Sequence, residues 1–169
     1  AVYFFLNQWP GTARIFRGLK EVAVGILFAA GTVIFVLPRS SSAAFRWPVT
    51  SWGLLCFLNC YAIAVWELEA DRAEQQESLV TRWPMLTRYF RCIALLVALF
   101  ALAPLAIRTQ TTPPRLGLAM AASSLALAAL DYRSGRLEAD LLRISADLVL
   151  FTPLLFRFFP EQTGFMLGR

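Results

Sequence analysis

The chain has 169 residues, 58% of them apolar and 16% charged, with 16 basic residues against 11 acidic ones and no histidine. Soluble domains carry about 25% charged residues, so this chain is too poor in charge for a water-facing surface of its size, and disorder, a collagen-like chain and a disulfide-rich secreted module are excluded. Without an imidazole, Ser-His-Asp triads, histidine zinc sites and histidine-ligated haem are excluded as well.

The apolar residues lie in blocks bounded by charge. Ala1–Leu6 is too short to cross a bilayer, and AVYFFLNQWP has neither the basic start nor the cleavage pattern of a signal peptide. The expectation is a single transmembrane domain over residues 1–169, forming the carboxy-terminal part of a longer polytopic protein. Uncharged runs of 17, 20, 16 and 15 residues follow Glu21, Arg46, Arg91 and Arg115. A spanning helix needs about 20 apolar residues, and flanking arginines lengthen the shorter runs by snorkelling. These runs predict spans at about 22–38, 49–66, 90–107 and 115–131. A fifth is predicted at about 144–159, although Asp147, Pro153 and Arg157 interrupt it. Helices apolar all round can also be the core of a soluble protein, but four of them in this length leave too little chain to shield them. The expected fold is all-α, a transmembrane helical bundle of about five spans.

Ten of the 16 basic residues fall in the segments before the first span, between the second and third, and between the fourth and fifth. The positive-inside rule puts those segments in the cytoplasm. Ten of the 11 acidic residues, all but Glu161, lie at or near the same face. The expected location is therefore a bacterial inner membrane, with the acidic loops facing the cytoplasm and the lipid bilayer as a partner. Trp9-Pro10, Trp47-Pro48 and Trp83-Pro84 suit interface anchors and helix starts.

The most informative stretch ends the second span, LNCYAIAVWELEADRAEQQE. Asn59 interrupts an apolar helix, and Glu67 and Asp71 follow where that helix reaches the cytoplasmic face. At about 100° per residue the three lie within about 120° of one another, and Glu69 points away. Two carboxylates one turn apart repel unless a cation lies between them, and all-oxygen donors suit Mg²⁺ that also holds phosphate. A solvated acidic helix end, with Glu67 paired to an arginine, is the other reading of the same residues.

The runs FRGLKEVAVGILFAAGTVIFVLP, LNCYAIAVWELEAD and RISADLVLFTPLLF resemble the carboxy-terminal half of a divergent member of the UbiA superfamily of intramembrane prenyltransferases. Tyr61-Ala62 stands at the Tyr-Ala pair of that family's second aspartate-rich motif, Asn59 replaces its leading aspartate, and Glu67 and Asp71 take its later acidic positions. The resemblance implies transfer of an isoprenoid from a prenyl diphosphate to an acceptor, with Mg²⁺ as cofactor held by Glu67 and Asp71. Asn59, Tyr61 and Arg72 would face substrate, with Arg14, Arg17 and Lys20 as further cations for the diphosphate and Trp66 as a further aromatic for the allylic cation. The alternative is a non-enzymatic membrane protein, a transporter component or structural subunit, in which Asn59, Glu67 and Asp147 line a path or glue helices.

Later in the chain, Arg136–Asp140 and Arg143–Asp147 are i, i+4 pairs expected to neutralise themselves, and Asp147 is expected to anchor the last span. Cys56, Cys60 and Cys92 fall inside predicted spans, which argues for packing over disulfides or zinc. Nucleic-acid binding is not expected, because loop arginines account for the net charge of +5.

Overall fold

The structure, a computed structural model, describes residues 20–34, 46–107 and 114–155. Every regular element among them is helical: α1 (Lys20–Ile34), α2 (Arg46–Trp66), α3 (Leu68–Ala73), α4 (Leu79–Arg82), a 3-10 segment (Pro84–Tyr89), α5 (Phe90–Ala106), α6 (Pro114–Arg133), α7 (Ala139–Leu150) and α8 (Thr152–Leu155). A second 3-10 turn, Ser134–Arg136, follows α6. Predicted spans two, three and four thus begin and end within a few residues of α2, α5 and α6.

Among the described residues, two segments are long and apolar enough to cross a membrane, Arg46–Trp66 with 21 residues and Pro84–Ala106 with 23. At about 1.5 Å per residue, α2 alone reaches about 30 Å, the thickness of the hydrocarbon core. The remaining three of the five expected spans fall short of that test for different reasons. α1 has 15 residues. α6 has 20, but glycine, serine and alanine dilute its leucines, and Arg115, Asp131 and Arg133 lie at its ends. α7 stops after 12 residues, where a turn at Phe151 precedes α8 and its Pro153. The tail of the fifth expected span, 156–159, lies outside the described residues, as do Trp9-Pro10, Arg14 and Arg17.

α2 is the hub of the bundle and packs against α1, α4, α5, α6 and α7. Leu55, Leu58, Tyr61 and Ala62 of α2 are buried together with Phe90, Ala94 and Ala98 of α5, Leu127 of α6 and Ala146 of α7. Glycines mark two close approaches between helices. A Cβ on Gly25 would lie 2.8 Å from the Phe57 Cα, and one on Gly117 would lie 2.7 Å from the Ala101 carbonyl oxygen. Such seams let backbones meet where large side chains would hold them apart. Ser123 and Ser124, buried in α6, donate to the carbonyls of Ala119 and Met120 one turn back, so neither leaves an unmet hydroxyl.

At one end of the bundle, polar side chains tie the helices together. Asp131 accepts from the Trp66 indole N–H at 3.3 Å and pairs with the Arg91 guanidinium at 2.7 Å, joining α6 to α2 and α5. The candidate site lies at this same end.

Candidate functional site

α2 gives way to α3 at Glu67 without losing its helical bonds. Glu67 N–H donates to the Ile63 carbonyl at 3.0 Å, and Asp71 N–H donates to the Glu67 carbonyl at 2.8 Å. The two acidic side chains therefore stay one turn apart on one stripe, as the sequence predicts. α3 ends immediately afterwards, because Gln75 adopts φ 55° and reverses the chain. Gln76 N–H then closes onto the Asp71 carbonyl at 2.7 Å, which fixes the Asp71 backbone on both sides.

Glu67 and Asp71 line a cleft of about 220 Å³ together with Glu21, Val24, Cys60, Ile63 and Ala64. Glu21 opens α1 and is buried. It crosses to the start of α4, where its Oε2 accepts from the Leu79 N–H at 3.1 Å. The close passage of α1 over Phe57 at Gly25 brings Glu21 to α2. The floor and walls are apolar while three carboxylates gather around them, so the cleft joins a polar end to an oily one.

Those carboxylates differ in their surroundings. Glu67 accepts a hydrogen bond from Nε of Arg143 on α7, forming an ion pair. Arg143 also places Nη1 3.8 Å from Asp140. The Glu67 hydrogen bond and charge hold the guanidinium's pKa above its ordinary value, so it stays cationic at any pH the fold survives. Asp71 is 8% exposed, and its side chain makes no hydrogen bond or ion pair with any described residue. A buried carboxylate in that position favours a cation.

The other expected site residues are dispersed. Arg72 is exposed and is not part of the cleft lining. Tyr61 is buried in the core, where its hydroxyl donates to the Leu86 carbonyl at 2.6 Å and its ring packs against Phe57 and Phe90. Asn59 is buried and donates from Nδ2 to Asp147 Oδ1 at 3.3 Å. Asp147 thus anchors α7 as expected, but through Asn59. The expected Arg143–Asp147 pair is replaced by Arg143–Glu67, because the end of α2 offers Arg143 a carboxylate in a half-dry setting. Trp66 is engaged by Asp131.

Sequence reading missed two residues that the structure brings to the site, Glu21 and Arg143. Glu21 shows up in the sequence as the last charge before a long apolar run, and Arg143 as the last cation before another. Neither signal says which helix it will face.

Among the described residues, no three acidic or thiol side chains come together as a ready-made metal cage. An ion such as Mg²⁺ takes one or two protein carboxylates and fills its other positions with water or other oxygens. Asp71, buried and open to the cleft, fits that requirement, with Glu67 one turn away.

Comparison of the chain with family models, with curated protein sequences and with solved structures gives no match.

Proposed function

We propose that this chain is part of an integral membrane bundle of the UbiA prenyltransferase kind, and that its cleft receives the diphosphate of a prenyl donor. The supporting observation is the gathering of Glu21, Glu67 and Asp71 around one apolar-walled cleft at the end of α2. In this reading all five apolar blocks sit in the membrane, the shorter ones within a bundle whose acidic end faces the cytoplasm of a bacterium. Large apolar side chains left exposed on three helices support a lipid-facing belt: Ile26 and Phe28 on α1, Leu96 and Leu99 on α5, and Ile144 and Leu148 on α7.

Asp71 and Glu67 would hold Mg²⁺, which supplies charge neutralisation to a departing diphosphate. The chain's own residues do the rest. Val24, Ile63 and Ala64 offer the first isoprene unit a dry wall. The buried carboxylates orient the charged end outward, toward the membrane face, so the tail points into the bundle. Exclusion of water by those walls protects an allylic cation from hydrolysis. The acceptor is a second, unidentified molecule.

One observation favours the non-enzymatic alternative: Glu67 is already neutralised by Arg143, as in a structural pair. A single experiment separates the two. The full-length protein in detergent is assayed for Mg²⁺-dependent release of diphosphate from geranyl, farnesyl and geranylgeranyl diphosphate, beside Glu67→Gln and Asp71→Asn. Loss of at least tenfold in both variants supports the enzyme. Undiminished release in both removes the proposed site, and no release from the wild type favours the structural subunit.

A further inference from the structure

The cleft has negative charge inside and a guanidinium at its rim, and the two already touch. Glu67 engages Arg143 through Nε alone, and an arginine presents five N–H donors. The Glu67 side chain is 16% exposed and that of Arg143 is 51% exposed, so the fork of Arg143 is open to an incoming group. An ion pair this wet holds weakly against a competitor. Opening it is charge-balanced: it frees one carboxylate for a cation and one guanidinium for an anion.

Building on the diphosphate reading above, we propose that Arg143 is the anion-binding residue of the cleft, and that its pairing with Glu67 is exchanged for phosphate when a metal diphosphate enters. Arg72, the cation nearest in sequence to Asp71, cannot take this role from where it stands. It is exposed and lies about 100° around the helix from Asp71. Arg143 does not line the cleft either, but it comes from the facing helix to pair with Glu67, which does, and its planar fork matches two phosphate oxygens at once. Asp140, 3.8 Å from Nη1, is 87% exposed and competes little.

The exchange makes a prediction that a purely structural pair would not. Glu67 competes with phosphate for Arg143 when no metal is present, and serves as a metal ligand when it is. Binding of inorganic pyrophosphate to the purified full chain is measured by calorimetry with and without Mg²⁺. Arg143→Gln is expected to weaken Mg²⁺-pyrophosphate binding at least tenfold, and Arg143→Lys to fall between it and the wild type. Glu67→Gln is expected to bind metal-free pyrophosphate several-fold tighter than the wild type, while losing most of the gain from Mg²⁺. Arg136→Gln, which removes an exposed arginine at the same face, serves as the control and is expected to bind as the wild type does. If Arg143→Gln and the wild type bind equally well, the Arg143 assignment is overturned and the diphosphate cleft stands. Failure of the wild type to bind Mg²⁺-pyrophosphate overturns both.

Discussion

Asn59 on α2 donates its amide to the Asp147 carboxylate on α7 at 3.3 Å, while its own buried Oδ1 has no hydrogen-bond partner among the described residues. The pair is thus half satisfied, and truncating one partner leaves the other worse off than removing both. Asn59→Leu is expected to destabilise by about 1–3 kcal/mol, the usual cost of stranding a polar group. Asn59→Leu with Asp147→Leu should recover most of that loss. The coupling should therefore be larger than the Asn59→Leu loss alone, above the ~0.6 kcal/mol average for hydrogen bonds between membrane helices. Thermal unfolding of all four proteins in one detergent gives the cycle; simple addition of the two single losses would argue against this account.

Asp131 serves two donors on two other helices, Trp66 at 3.3 Å and Arg91 at 2.7 Å. Its side chain is 12% exposed against 55% for Arg91, so the two ends of the pair should not be equivalent. Asp131→Ala strands a half-buried indole N–H and should cost about 1–3 kcal/mol. Arg91→Ala removes a wet partner and should cost about 0–1 kcal/mol. Denaturant unfolding ranks them, and Asp131→Ala should also shift tryptophan emission because Trp66 loses its acceptor. Equal losses in the two variants would contradict the asymmetry.

Much of the fold is legible in the sequence because charges end apolar helices. Arg46 and Glu67 frame α2, and Arg91 and Arg108 lie within two residues of the ends of α5. The Glu67–Asp71 stripe is legible for the same local reason, since residues four apart share a face whatever surrounds them. What depends on a second helix is not legible. The i, i+4 rule pairs Arg143 with Asp147 on its own helix and has no knowledge of Glu67, 76 positions away. Glu21 enters the cleft only because Gly25 lets α1 settle onto Phe57, a packing event with no local signature. The break at Phe151 is half legible: Pro153 marks it, but one proline does not say where the preceding helix stops.

The two glycine seams make opposite predictions from a third glycine. A methyl on Gly117 meets the Ala101 carbonyl at 2.7 Å, and one on Gly25 meets the Phe57 backbone at 2.8 Å, while one on Gly31 meets nothing within 4 Å. Backbone cannot yield as a side chain can. Gly117→Ala and Gly25→Ala should each cost about 1–3 kcal/mol through overpacking. Gly31→Ala should be neutral or stabilising by up to about 1 kcal/mol, from helix propensity. Melting temperatures of the three variants decide the matter, and a Gly31→Ala loss as large as the others would mean that the seams are not where the strain arises.

Tyr61 separates the roles of core and site. Motif likeness alone places it beside substrate, yet it is 1% exposed, its hydroxyl is committed to Leu86 O, and it stacks on Phe57. The Leu86 carbonyl belongs to the 3-10 segment that leads into α5, so this bond ties that segment to α2. Tyr61→Phe keeps the ring and deletes one hydrogen bond, which should cost about 1 kcal/mol, slightly more if the buried carbonyl finds no water. Protection of the 84–89 amides against hydrogen exchange should fall with it, because the tie to α2 is lost. Pyrophosphate affinity should not change, because the hydroxyl points to Leu86 and Tyr61 is not among the cleft's lining residues. An affinity loss of tenfold or more with unaltered amide protection would place Tyr61 in the site after all.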